Sequence, residues 1–221
     1  MRISLAGDEA LLLGSGAMYL PGHRTLLVAD AHFGKAVSFR RLGVPVPEAT
    51  TGATLAGLDA GLRDTGAQRI VFLGDFLHSA RARARATMDS LHAWREAHPG
   101  VAMTLVRGNH DERAGDPPAS LRIDVVDEPL QLGPFALRHH PLAVSNAYVL
   151  AGHWHPCVHL RGRAFSRLRL PCFWFGGERG ARPVGVLPAF GSFTGMHPID
   201  AGEGDRIYPV ADGHVRALPA A

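Results

Sequence analysis

Five times along the chain an apolar, β-rich run ends in a short cluster of Asp, Asn and His. Thr25–Ala29 leads into Asp30-x-His32, Ile70–Leu73 into Gly74-Asp75 with His78 three residues on, and Val101–Val106 into Gly108-Asn109-His110-Asp111. Phe135–Leu137 leads into His139-His140, and Tyr148–Ala151 into Gly152-His153-x-His155; a sixth run spans Val184–Leu187. Runs of this length and composition predict strands, and open α/β sheets place their ligands at the C-terminal ends of strands. Two helix-like stretches separate the early runs: an Ala- and Leu-rich one from about Glu48 to Leu62, ending near Gly66, and one from about Arg81 to Ala97, stopping before Pro99-Gly100. Alternating strand and helix in the first half predicts βαβ units, whereas the second half holds short strands, Gly and Pro turns and little helix. The combination predicts a layered α/β sandwich rather than a simple doubly wound sheet. No repeat, low-complexity tract or linker interrupts the sequence, so a single domain over residues 1–221 is expected.

Composition narrows the setting. Hydrophobic residues make up 46% of the chain, which suits a folded globular protein. No apolar run approaches the roughly 20 residues needed to cross a bilayer, so no membrane partner is expected. The N-terminal stretch MRISLAGDEALLLGSGAMYL is interrupted by Asp8 and Glu9 and makes a poor secretory signal, which predicts a cytoplasmic protein. Cys157 and Cys172 stand alone, without a paired C-x-x-C; that excludes a zinc knuckle and predicts plain core thiols. The net charge of +3 permits contact with polyanions without demanding it. Basic residues comprise 22 arginines and one lysine, Lys35, which lies beside the first cluster.

Spacing suggests that the clusters act together. Residues i and i+2 of an extended segment point to one side, so Asp30 with His32, and His153 with His155, can each present two ligands to one cavity. Carboxylate and amide oxygens mixed with imidazoles suit manganese, iron or zinc and argue against calcium. Asp30, His32, Asp75, Asn109, His139, His153 and His155 are too many for one tetrahedral ion. Two ions about 3.5–4 Å apart, sharing a carboxylate, would use them all, with Asp75 as the expected bridge. Such a pair neutralises the equatorial oxygens of a phosphoryl transition state and lowers the pKa of water, so that hydroxide is available near neutral pH. His110 follows a metal ligand but has no metal of its own; it is the candidate general acid, with Asp111 as the group that could orient it.

The ordered series D-x-H, G-D, G-N-H-D, H and G-H-x-H, intact from Asp30 to His155, resembles that of the calcineurin-like metallophosphoesterase superfamily. The resemblance implies a four-layer α/β/β/α sandwich with two mixed β-sheets and a dinuclear centre. It implies that one metal takes Asp30, His32 and His155 and the other Asn109, His139 and His153, with Asp75 between them and His110 as general acid. From the sequence either His139 or His140 could be the ligand, and the superfamily register implies His139. The flanking stretches ADAHFGKAVSFRRLGVPVP, GDFLHS and LPAFGSFTG resemble the bacterial DNA-ligase-associated metallophosphoesterases. Those are described as manganese-dependent endonucleases of the DNA damage response. The narrower resemblance implies two manganese ions, a single-stranded or flapped DNA substrate, and functional association with an ATP-dependent DNA ligase and a helicase. His78 stands where many members of the broad superfamily carry Asn or Asp.

Other readings compete. A small phosphodiester, a nucleotide or a phosphomonoester is the rival substrate, since no extra DNA-binding domain is evident and aromatics are only 7% of the chain. An inactive interaction module would be expected to have lost metal ligands, and none is missing. Lys35, Arg40, His78 and His140 are candidate substrate contacts. Arg81, Arg83 and Arg85 alternate with alanines and read as a solvated helix start or as a basic rim. Trp154, between two candidate ligands, reads as a packing residue or as a base-stacking platform. Among the remaining histidines only His197, just past the GSFTG stretch, invites a site role.

Overall fold

The computed structural model describes residues 1–41, 43–44, 50–161, 167–176, 183–192 and 194–218. Glu48, the expected start of the first helix, and parts of the flanking stretches (42, 45–47 and 193) lie outside them.

The chain opens with three antiparallel strands that the sequence reading did not place: β1 (Arg2–Leu5), β2 (Asp8–Leu12) and β3 (Met18–Leu20). Ala6 and Gly7, both at positive φ, close the first hairpin, as a tight two-residue turn between twisted strands requires. β4 (Thr25–Val28) pairs antiparallel with β3 and then begins a parallel set with β5 (Arg69–Leu73), β6 (Ala102–Val106) and β7 (Asp124–Val126). Helices α1 (Lys35–Arg41) and α2 (Thr50–Thr65) fall between β4 and β5, α3 (Arg85–Ala97) between β5 and β6, and α4 (Asn109–Ala114) follows β6. These are the expected βαβ units.

A second sheet is built from β8 (Leu130–Leu132), β9 (Phe135–Leu137), β10 (Tyr148–Ala151), β11 (Pro156–Arg161), β12 (Arg167–Phe175), β13 (Val184–Val186), β14 (His197–Pro198), β15 (Arg206–Ala211) and β16 (His214–Val215). The two sheets have seven and nine strands, and both mix parallel with antiparallel pairing. They pack face to face: Leu27, Val71, Leu73 and Val106 of the first meet Phe135, Leu150, Phe173 and Phe175 of the second in one buried cluster. The first sheet's other face packs Leu26, Phe72 and Leu105 against Leu55, Leu58 and Leu62 of α2 and Leu91 and Trp94 of α3. Strands buried on both faces must be apolar throughout, which is why these runs do not alternate. On the second sheet's outer face, Val149, Trp174 and Val186 pack with Val144, Ala147 and Ile199 from non-helical segments. The architecture is the α/β sandwich with two mixed sheets that the sequence predicts.

Two local results refine the reading. The second helix starts at Arg85 rather than Arg81: Ala80–Arg83 form a separate 3-10 turn, and Ala84 (φ −58°, ψ 141°) breaks the helical path. The turn is held by tertiary contacts, since Arg83 donates to the carbonyls of Ala114 and Asp116 and Ala82 packs against Gly34. Cys157 and Cys172 are both buried free thiols, the latter's pKa pushed up to about 12 by burial. Among the described residues no helix is long and apolar enough to cross a membrane.

Candidate metal centre

The parallel strands β4, β5 and β6 end side by side, so the loops that follow them deliver Asp30, Asp75 and Asn109 to one edge of the first sheet. In the second sheet β9 and β10 are parallel neighbours, and their ends deliver His139, His153 and His155. The loops are tied together: His32 N donates to Asp75 O, His110 N to Asp75 Oδ1 and His153 N to Asp30 Oδ2, each at 2.9 Å. Asp30, His32, Asp75, His153 and His155 all have φ between 46° and 70°, a left-handed backbone that costs non-glycine residues energy and clusters at functional sites. Two motif glycines permit this crowding. A Cβ at Gly74 would lie 2.2 Å from His139 Nδ1, and one at Gly152 would lie 2.6 Å from Asp30 Oδ2.

The donor atoms fall into two sets. In one, Asp30 Oδ1 lies 3.5 Å from His155 Nε2, which is 3.4 Å from His32 Nε2. In the other, His139 Nε2 lies 2.8 Å from Asn109 Oδ1 and 3.0 Å from His153 Nδ1. The Asp75 carboxylate stands between them, Oδ1 3.5 Å from His139 Nε2 and Oδ2 3.7 Å from His32 Nε2. Backbone carbonyls fix two of the rings: His139 Nδ1 donates to Leu73 O at 3.1 Å and His155 Nδ1 to Gly195 O at 3.0 Å, which turns both Nε2 atoms inward.

Two observations show that these residues fit divalent cations. His139 Nε2 has both Asn109 Oδ1 and His153 Nδ1 within 3.0 Å, a convergence of atoms that carry lone pairs. Asp30 Oδ1 is buried without a hydrogen-bond partner. Acceptors packed this way away from water are costly unless a positive charge sits among them. Burial pushes the His32 pKa well down, helped by Lys35 and the neighbouring imidazoles, and burial likewise lowers His153. Burial also works against a charged His155, but the Asp30 carboxylate outweighs it and holds that pKa above the ordinary value. Burial thus favours neutral His32 and His153 beside two buried carboxylates, the state in which imidazole ligates metal.

The other expected residues surround these sets. His110 Nδ1 donates to His78 O at 2.7 Å, leaving Nε2 3.9 Å from Asp75 Oδ2. This carbonyl, not Asp111, orients the His110 ring. Asp111 is fully buried and accepts from the amides of Gly108 (3.0 Å), Phe76 (3.0 Å) and Leu77 (3.3 Å), stapling the loop after β5 to the start of α4. Its pKa is raised to about 6, chiefly by burial. The His78 ring stacks on His110 at 5.1 Å, and burial, with Lys35 and His110, lowers its pKa to about 4. Lys35 heads α1 half-buried next to the first set; burial lowers its pKa while Asp30 and Asp75 pull it upward. Arg40 lies further along α1. His140 sits 4.7 Å ring to ring from both His139 and His153.

One supporting residue went unread in the sequence. Glu128 accepts from the amides of His139 (2.8 Å) and His140 (3.0 Å), from His140 Nδ1 (3.1 Å) and from Arg138 (2.9 Å). Burial opposes its ionisation, yet these donors hold its pKa down at about 2. Elsewhere Arg83 is structural, Arg85 pairs with Asp89 on α3, and His23 and His98 pair with Asp8 and Asp59.

A crystal structure of the nuclease MPE from Pseudomonas putida matches this chain at 45% sequence identity and a TM-score of 0.86, covering 99% of each chain. Two further solved structures, the protein of unknown function AQ665 from Aquifex aeolicus (17% identity, 64% of this chain and 82% of that one) and the phosphoesterase Yfce from E. coli (15%, 85% and 88%), match at a TM-score of 0.40 and are too distant to carry an argument. No protein-family model and no curated protein matches. The full-length likeness, two-sheet sandwich and clustered His and Asp donors define a metallophosphoesterase, a metal-dependent enzyme of phosphate esters. Within that class the chain belongs to the family of nuclease MPE.

Proposed function

We propose that this protein is a two-metal DNA phosphodiesterase, an endonuclease acting on single-stranded or flapped DNA in repair, with manganese as its metal. The observation that carries the reading is the Asp75 carboxylate standing between two donor sets, in a chain 45% identical to a nuclease. Asp30, His32 and His155 would hold one cation and Asn109, His139 and His153 the other, with Asp75 shared. When bound, such a pair neutralises phosphoryl oxygens and lowers the pKa of water enough to supply hydroxide near neutral pH. His110 keeps one ring proton on the His78 carbonyl and directs Nε2 toward the pocket, where it delivers a proton to the leaving alkoxide. Lys35 supplies a cation for a non-bridging phosphate oxygen, and His78, His140 and Arg40 flank the substrate. The mixed imidazole, carboxylate and amide donors suit manganese, with iron and zinc as alternatives. Functional association with an ATP-dependent ligase and a helicase rests on the flanking stretches alone.

The test uses metal-stripped protein reloaded with Mn²⁺, Fe²⁺ or Zn²⁺ and assayed on bis-p-nitrophenyl phosphate, p-nitrophenyl phosphate and circular single-stranded DNA. Diester turnover with nicking of the circle, greatest with Mn²⁺, is expected. Diester turnover with an intact circle would replace the DNA reading by a small-molecule phosphodiesterase.

A further inference from the structure

His153 lines not only the metal centre but also an adjoining cavity of about 440 Å³, shared with Trp154, Trp174, His197, Ile199 and Asp200. That volume is in the range of small-molecule sites, about 300–1,000 Å³. Trp154, between the two centre histidines His153 and His155, keeps 40% of its surface exposed, unusual for so large an apolar side chain. Trp174 beside it is 4% exposed, with ring centroids 5.6 Å apart and planes inclined at 43°.

This aromatic corner is held firmly. Trp174 Nε1 donates to Asp205 Oδ2 at 2.8 Å, and Trp154 N donates to Gly152 O at 2.8 Å in the turn that carries the histidines. The segment bearing His197 and Asp200 is paired to the same turn, His197 N donating to His155 O at 2.9 Å and β14 lying parallel to β11.

Chemistry selects the occupant. No Lys or Arg is among the described residues that line the cavity, and Asp200 brings a carboxylate, so it repels a phosphate. A flat, half-exposed indole in a cavity that also holds a carboxylate and imidazoles suits a nucleobase, which stacks on the ring and offers N–H groups to the acceptors. We propose that this cavity is a nucleobase subsite, in which the base next to the scissile phosphate stacks on Trp154. The proposal rests on the DNA reading above and adds a reason for strand preference. A base reaches Trp154 only when unpaired and unstacked, so the subsite favours single strands and flaps over intact duplex.

The test is a cycle on the Mn²⁺-loaded protein with two strands, an oligothymidylate and an all-abasic strand of equal length. Base–aromatic stacking supports roughly a tenfold effect. Trp154→Ala is expected to lower kcat/KM on the oligothymidylate by about that factor. Removing the bases should cost wild type about as much, and the two changes together no more than either alone. Trp154→Phe, which keeps a stacking face, should recover most of the loss. Oligothymidylate should also quench the tryptophan fluorescence of the wild type but not of Trp154→Ala. Losses that multiply, or a Trp154→Ala enzyme equal to wild type on the oligothymidylate, would overturn the subsite. Wild type that hydrolyses bis-p-nitrophenyl phosphate but cuts no strand would overturn the DNA reading and the subsite with it.

Discussion

Each residue at the centre was readable to the extent that its role is carried by its own side chain. Asp30, His32, Asp75, Asn109, His139, His153 and His155 announce themselves because metal-binding side chains follow apolar runs, twice at i and i+2. The orienting bond to His110 was misread, because it comes from the main chain of His78, and a carbonyl leaves no trace in a sequence. Asp75→Ala should abolish metal binding and activity together, as seen by elemental analysis of the purified variant. His110→Ala should retain both metals yet lose activity by about 10²–10⁴-fold on esters with poor leaving groups, and much less on p-nitrophenyl esters. Full activity of that variant on DNA would remove His110 from the acid role. Gly152→Ala tests packing alone. Its methyl would fall 2.6 Å from Asp30 Oδ2, the atom that accepts from His153 N, so metal content should drop while far-UV circular dichroism stays native.

Among the elements, those with a clear period or a long apolar run were placed well, and those fixed by tertiary contact were not. The strands that became β5, β6, β9 and β10 lie within a residue of their expected limits. The 3-10 turn at Ala80–Arg83 reads as helix in isolation, because alternating Arg and Ala favour helix; it is the packing of Ala82 on Gly34 that bends it away. The turn after β9 shows the same dependence. His139 and His140 hang on Glu128, a residue from the segment just before β8 with no motif of its own. Glu128→Ala frees two amides and a ring, and loss of such support costs metal affinity about 10–100-fold. A manganese titration followed by calorimetry should show this weakening, with partial recovery in Glu128→Gln. Unchanged affinity in Glu128→Ala would mean that the bond from His139 Nδ1 to Leu73 O is enough to hold this ring in place.

At the scale of the whole molecule, the centre joins the two sheets. Asp30, His32, Asp75 and Asn109 follow strands of the seven-stranded sheet, and His139, His153 and His155 follow strands of the nine-stranded one. The sequence shows seven candidate ligands but not that they come from two layers, because the order of strands within a sheet is set by pairing that no local pattern encodes. Cations held by both layers would bind the native state and not the unfolded chain, and so would stabilise it by mass action. Manganese at 100 times its dissociation constant would contribute about 2.7 kcal/mol per site, so two sites would raise Tm by about 10–20 °C in a chain of this size. Differential scanning calorimetry with Mn²⁺ and with a chelator should show that gap in the wild type and none in Asp75→Ala. Because the ligands are divided between the sheets, Asn109→Ala and His155→Ala should each remove part of the gap and lower the unfolding temperature of the Mn²⁺-loaded protein. A wild-type Tm indifferent to saturating Mn²⁺ would mean that the apolar interface and the hydrogen bonds across it join the two sheets without help from cations.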